Sequence, residues 1–240
     1  MTHQHQILCN MKTMLTGFTL LLLAACNQAP APAGEAKPDL NEEVPMQSRT
    51  AGLLSPFRDK KFDTLWVYSP TDLKGEYEGV ALDSAAAVLF PPEIAEKHSS
   101  DAPGMFAVYR LPLAQGTTGL LARTPDWYVP SSMKLFYWDH KADSITSYIE
   151  LAQSWGDAGD FHRRDSWLFR TADSSLQALV WFYEEHDNSV DMPSDKTKTV
   201  RQSYALLNLS GPRADTLSKD SAALATRFGH LTRKLAADPY

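Results

Sequence analysis

Leu176-Gln177-Ala178-Leu179-Val180-Trp181-Phe182-Tyr183-Glu184-Glu185 is the stretch on which the fold turns. Side chains of an extended chain alternate between two faces, so Leu176, Ala178, Val180 and Phe182 share one face and Leu179, Trp181 and Tyr183 the other. Apolar residues on both faces mark a central strand, with a packed layer on either side. Just before it, Ala172-Asp173-Ser174-Ser175 reads as a turn and Ser166-Trp167-Leu168-Phe169-Arg170-Thr171 as a second strand, which makes a hairpin.

The same period of two recurs outward from there. His140-Lys141-Ala142-Asp143 joins residues 133–139 to residues 144–151 in another hairpin, and residues 62–69, 105–111, 119–124 and 200–209 are further strands. About eight strands in sequential, mostly antiparallel order predict a mainly β (α+β) single domain. Two segments break the rhythm. Asp83 caps Ser84-Ala85-Ala86-Ala87-Val88-Leu89-Phe90, which Pro91-Pro92 stops, and Pro92 opens a short helix through Ile94 and His98. Near the end, Thr216 or Ser218 caps an amphipathic helix that aligns Leu217, Leu224, Phe228, Leu231 and Leu235 and is expected to dock on the sheet.

The N-terminus has a different character. Leu15-Thr16-Gly17-Phe18-Thr19-Leu20-Leu21-Leu22-Leu23-Ala24-Ala25 is apolar but short of the roughly 20 residues that span a bilayer, and Lys12 precedes it. Ending in Leu23-Ala24-Ala25-Cys26, the segment resembles the signal peptides of bacterial lipoproteins, whose lipobox places small residues before a cysteine that is acylated and then becomes the mature N-terminus. The resemblance implies cleavage after residue 25, a lipid (palmitate-bearing) anchor on Cys26, and export. Met11-Lys12-Thr13 opens such a signal as well as Met1 does; with a start at Met11, Cys9 is not made. Residues 26–50 carry Pro30, Pro32, Pro38 and Pro45 and read as an extended tether, leaving residues 51–240 as one globular β-rich domain. Asn27, in place of the Asp associated with inner-membrane retention, favours the periplasmic side of the outer membrane.

Composition narrows the function classes. The chain is 43% hydrophobic and 22% charged with net charge −6, and no basic run exceeds Arg163-Arg164, so nucleic-acid binding is excluded as an expectation. There is no G-x-S-x-G, P-loop, G-x-G-x-x-G or H-E-x-x-H motif, hence no assigned catalytic residue and no cofactor. Trp155-Gly156-Asp157-Ala158-Gly159-Asp160-Phe161-His162 is the richest cluster. It reads as a tight loop in which the glycines supply positive φ and Asp157 and Asp160 bond nearby amides; the alternative is a Ca²⁺ or transition-metal site on Asp157 and Asp160. With Asp165-Ser166-Trp167-Leu168, this segment is similar to a pattern in uncharacterised exported bacterial proteins, which implies one structural unit and no activity. His98, His140, His162, His186 and His230 lack ligand spacing, and Glu184-Glu185-His186-Asp187 reads as a solvated strand end.

Trp138 and Trp181 belong to the expected core, whereas Trp127-Tyr128, between Pro125 and Pro130, is the candidate exposed ligand-binding pair. Two functions follow as expectations. The first is a lipid-anchored, non-catalytic binding or assembly module of the cell envelope, in contact with the membrane through its anchor and holding a protein, peptide or glycan. The second is an envelope hydrolase using acids such as Asp157, Asp160 or Glu185.

Overall fold

In the computed structural model, residues 51–70, 74–98, 104–113, 116–125 and 132–237 are described. Cys26, Trp127 and Tyr128 lie outside them. A helical turn at residues 51–54 leads into β1 (Arg58–Asp59), β2 (Thr64–Val67), β3 (Val80–Ala81), α1 (Ser84–Ala87), α2 (Pro92–His98), β4 (Phe106–Pro112), β5 (Thr117–Thr124), β6 (Ser132–Asp139) and β7 (Ser144–Asp157). The chain continues through β8 (Asp160–Arg170), β9 (Leu176–Asp187), β10 (Lys198–Asn208), β11 (Asp215–Ser218) and α3 (Ser221–Ala237).

From β4 to β11 each strand pairs antiparallel with its sequence neighbour, so the sheet is a long meander. Among the described residues, only β1 pairs parallel, on β4. β7 divides the meander: its first part, to Ala152, pairs with β6, and its last part, from Gln153, pairs with β8. β2 leaves the sequential path and adds to β8, with Leu65 opposite Leu168 and Trp66 opposite Trp167.

The two leaves close on one core. Tyr109, Leu121, Leu135 and Tyr137 from the first leaf meet Leu168, Ala178, Val180 and Leu207 from the second. The opposite face of the first leaf, with Leu120, Phe136 and Trp138, is covered by Leu53, Phe57, Ala87, Phe90 and Ile94 of the helical segments. The opposite face of the second leaf, with Trp167, Leu179, Trp181 and Leu206, takes Leu224 and Phe228 of α3. This layering explains why β6 and β9 are apolar on both faces. Burying one Leu or Phe contributes about 1.5–3 kcal/mol, and Leu135, Phe136 and Leu179 are each fully inaccessible.

The eight expected strands are present. Three short ones, β1, β3 and β11, were not legible, since two to four residues carry too little alternation to register. Asp83 caps α1 as expected, accepting from the Ala86 amide at 2.8 Å. The C-terminal helix begins later than its pattern suggests: Asp220 caps it through the Ala223 amide at 3.0 Å, and Leu217 is instead an exposed residue of β11. The glycine-rich loop is narrower than expected. β7 runs through Gly156 to Asp157, and only Ala158 (φ 49°) and Gly159 (φ 93°) form the turn, the positive pair of a type I′ hairpin.

Candidate ligand-binding face

The tight Ala158-Gly159 turn fixes the register of β7 against β8, placing Trp155 opposite His162 and Asp157 opposite Asp160. His162 in turn faces Glu184 on β9, which faces Arg201 on β10. Directly paired residues project to the same side of a sheet, so Trp155, His162, Glu184 and Arg201 form a row across four strands. The rows beside it are Asp160, His186 and Thr199 on the turn side, and Arg164, Phe182 and Ser203 toward the core. These side chains continue the face that, nearer the core, carries Leu168 and Val180; here the strands outrun the first leaf and the face is polar.

The row borders a recess of about 250 Å³ lined by Asp160, His162, Glu184, Glu185, His186, Thr199 and Arg201. A second hollow, lined by Phe182, Glu184, Arg201 and Ser203, adjoins it. Within this setting the polar groups divide into two kinds. His186 is committed: Nδ1 lies 2.7 Å from Asp160 Oδ1 and Nε2 lies 3.0 Å from Asp191 Oδ2. The Asp160 contact above all raises the imidazole pKa above its ordinary 6.5, desolvation opposes it, and the Asp191 contact adds to the rise. Glu185 projects to the other side of the sheet, where Lys198 Nζ at 2.5 Å and Tyr183 Oη at 2.6 Å hold its carboxyl below the usual range. His162, Glu184 and Arg201, by contrast, make no hydrogen bond or ion pair among the described residues. His162 stacks on Trp155, the ring centroids 4.9 Å apart and the planes 9° from parallel.

The row stands on a buried polar chain. Lys134, Nζ donating to Thr124 Oγ1 at 3.1 Å and to Ser132, pairs with Glu150 Oε1 at 2.8 Å, and Glu150 Oε2 accepts from Arg164 at 3.0 Å. The Arg164 guanidinium lies 5.0 Å from the Phe182 ring centre. This arrangement of two cations around one carboxylate offsets part of the desolvation cost of burying charge, although the buried Arg164 Nε has no hydrogen-bond partner among the described residues. It fixes Phe182 and Arg164, the floor beside the recess, to the corner where β7 passes between leaves.

Of the sequence candidates, Asp160 is brought to the recess and binds His186 rather than nearby amides. Asp157 faces Asp160 across the last rung of the hairpin. Asp157, Asp160 and Glu185 do not converge, because Glu185 belongs to the opposite face from Asp160. Among the described residues, no group of three or more His, Cys, Asp and Glu side chains is placed to hold a metal ion. His162 and His186 are half-buried strand residues. Glu184 and Arg201 were missed as a site because their juxtaposition depends on strand register. A partial signal was available, since a two-residue turn at Ala158-Gly159 already pairs Trp155 with His162. No protein-family model, curated protein or solved structure matches the chain.

Proposed function

We propose that the protein is a lipid-anchored, non-catalytic binding module of the cell envelope, held at the periplasmic side of the outer membrane by acyl chains on Cys26, with the polar face of β7–β10 as its ligand surface. One observation carries the choice of surface: His162, Glu184 and Arg201, without hydrogen-bond or ion-pair partners among the described residues, line one recess between an aromatic wall, Trp155, and a braced floor, Phe182 and Arg164. Donors, acceptors and an aromatic ring gathered on rigid strands fit recognition of a polar ligand such as a peptide or glycan. The anchor rests on Leu23-Ala24-Ala25-Cys26 and the tether on the proline-rich segment that follows. Acids that do not converge weigh against the hydrolase.

The test uses the full chain in bacteria. A photoreactive amino acid in place of Ser203, beside the recess, is expected to give an envelope adduct that disappears with Arg201→Ala, while the same group in place of Asp143, in the β6–β7 turn, gives none. Labelled palmitate is expected on the parent and not on Cys26→Ser. Equal adducts from both positions overturn the ligand surface, and an unlabelled parent overturns the anchor.

A further inference from the structure

β10 is a free edge over much of its length. β9 pairs with it from Lys198 to Asn208, but on its other side β11 pairs only with Leu206, Leu207 and Asn208. Among the described residues no strand covers residues 198–203 on that side, and all six are exposed. Direction follows from two hydrogen bonds. The Asn188 amide donates to Thr197 O at 3.2 Å, so odd-numbered residues of β10 turn their backbone toward β9; the Tyr204 amide donates to Ser221 Oγ at 3.0 Å on the open side. By alternation, Val200 and Gln202 present N–H and C=O groups outward in an unbulged run. Such an edge is a template for another strand.

Its side chains say which strand. Arg201 ends the row Trp155, His162, Glu184, Arg201, and a residue added opposite it becomes the fifth member of that row. Arg201 has no ion-pair partner among the described residues, so a carboxylate is the complement at that rung. On the reverse face Val200 is 47% exposed and would be covered by a β-branched neighbour. A second copy is a poor occupant: Thr197-Lys198-Thr199-Val200-Arg201-Gln202-Ser203 contains cations and no acid, so pairing β10 with itself sets like charges side by side.

We infer that β10 binds an extended peptide segment by strand addition, with an acidic residue of that peptide opposite Arg201 and β-branched residues flanking it. This rests on the ligand surface proposed above and adds the partner's class and binding mode. Val200 and Gln202 offer up to four outward backbone groups, while the Arg201 rung selects among sequences that all share the same backbone.

The probe is a fluorescently labelled, end-blocked heptapeptide, Thr-Thr-Val-Glu-Val-Thr-Thr, titrated by anisotropy against the full chain in detergent. Binding is expected, weakened about tenfold or more by Val200→Pro, which removes one outward N–H and no bond to β9, and to a similar extent by N-methylation of the peptide's alternate edge-facing amides. The methylated peptide makes the result independent of how well the proline variant folds. Replacing the peptide's Glu by Gln, or Arg201 by Glu, is expected to weaken binding about fivefold or more. Binding lost with Arg201→Glu but indifferent to Val200→Pro and to N-methylation overturns strand addition and leaves the ligand surface standing. No peptide binding, or self-association on sedimentation that Val200→Pro abolishes, overturns the inference, and the in-cell adduct at position 203 then decides separately whether the surface binds anything.

Discussion

Trp66 Nε1 donates to Asp165 Oδ2 at 3.1 Å, joining β2, a strand outside the meander, to β8 through a carboxylate that solvent does not reach. Arg163, two residues earlier on the same face of β8, grips both oxygens at 3.0 and 2.9 Å. Burial raises the Asp165 pKa, and the Arg163 and Trp66 contacts oppose that rise. The indole also stacks on Trp167, with centroids 6.3 Å apart and planes 5° from parallel, so a single polar group orients the aromatic face of the second leaf.

Removing that group takes the acceptor from three N–H donors, Trp66 Nε1 and Arg163 Nε and Nη2. Asp165→Ala is expected to destabilise the domain by about 3–5 kcal/mol, the cost of breaking a buried pair by deleting one partner. Asp165→Asn, which keeps one acceptor oxygen for Trp66 but replaces the charge and the second oxygen facing Arg163 by an NH2 donor, is expected to cost less than the alanine change. Urea denaturation followed by tryptophan fluorescence measures both, and an alanine variant as stable as the asparagine one contradicts the role assigned to the Trp66 bond.

The Ala158-Gly159 turn makes an opposite pair of predictions. Ala158 occupies φ 49°, where a Cβ is disfavoured and glycine or asparagine is at ease. Ala158→Gly or Ala158→Asn is therefore expected to raise stability by about 0.5–1 kcal/mol. Gly159, at φ 93°, is backed by the 188–197 loop: a Cβ there falls 2.5 Å from Val190 Cγ2. Gly159→Ala is expected to lower the melting temperature and, by loosening the register, to weaken ligand binding at the Trp155–His162–Glu184–Arg201 row. Thermal melts of the three variants check the signs; stabilisation by Gly159→Ala contradicts the turn geometry.

How far the molecule was legible from sequence follows the same contrast between local and non-local order. Strands with both faces apolar, such as β6 and β9, declare themselves because each alternate residue meets a different core layer. β11 and β1 exist only because a long neighbour offers them an edge, and nothing in Asp215-Thr216-Leu217-Ser218 demands extension. Leu217 misled for that reason: it matches the helical spacing of Leu224 and Phe228, yet pairing with β10 holds it in a strand. The recess was half-readable. Short turns determine that Trp155 meets His162 and, through the 172–175 turn, that His162 meets Glu184, whereas Arg201 arrives across a loop of ten residues, 188–197, whose length conceals the register.

That loop is pinned by a histidine, which gives its attachment a pH dependence. His186 bridges Asp160 at the head of β8 and Asp191 in the loop, and its pKa in the folded chain lies above the ordinary 6.5 because both carboxylates favour the imidazolium, Asp160 the more. A group whose pKa rises on folding contributes stability that is fully present below the unfolded value and is lost as pH climbs through the folded value. The contribution of His186 is therefore complete below about pH 6.5 and fades above it. His186→Asn is expected to lower the melting temperature more at about pH 6 than at about pH 9, and to speed amide exchange in residues 188–197 at the lower pH toward the rate seen for the parent at the higher. A melting-temperature gap that is constant across this range, or that widens with rising pH, is incompatible with the bridge.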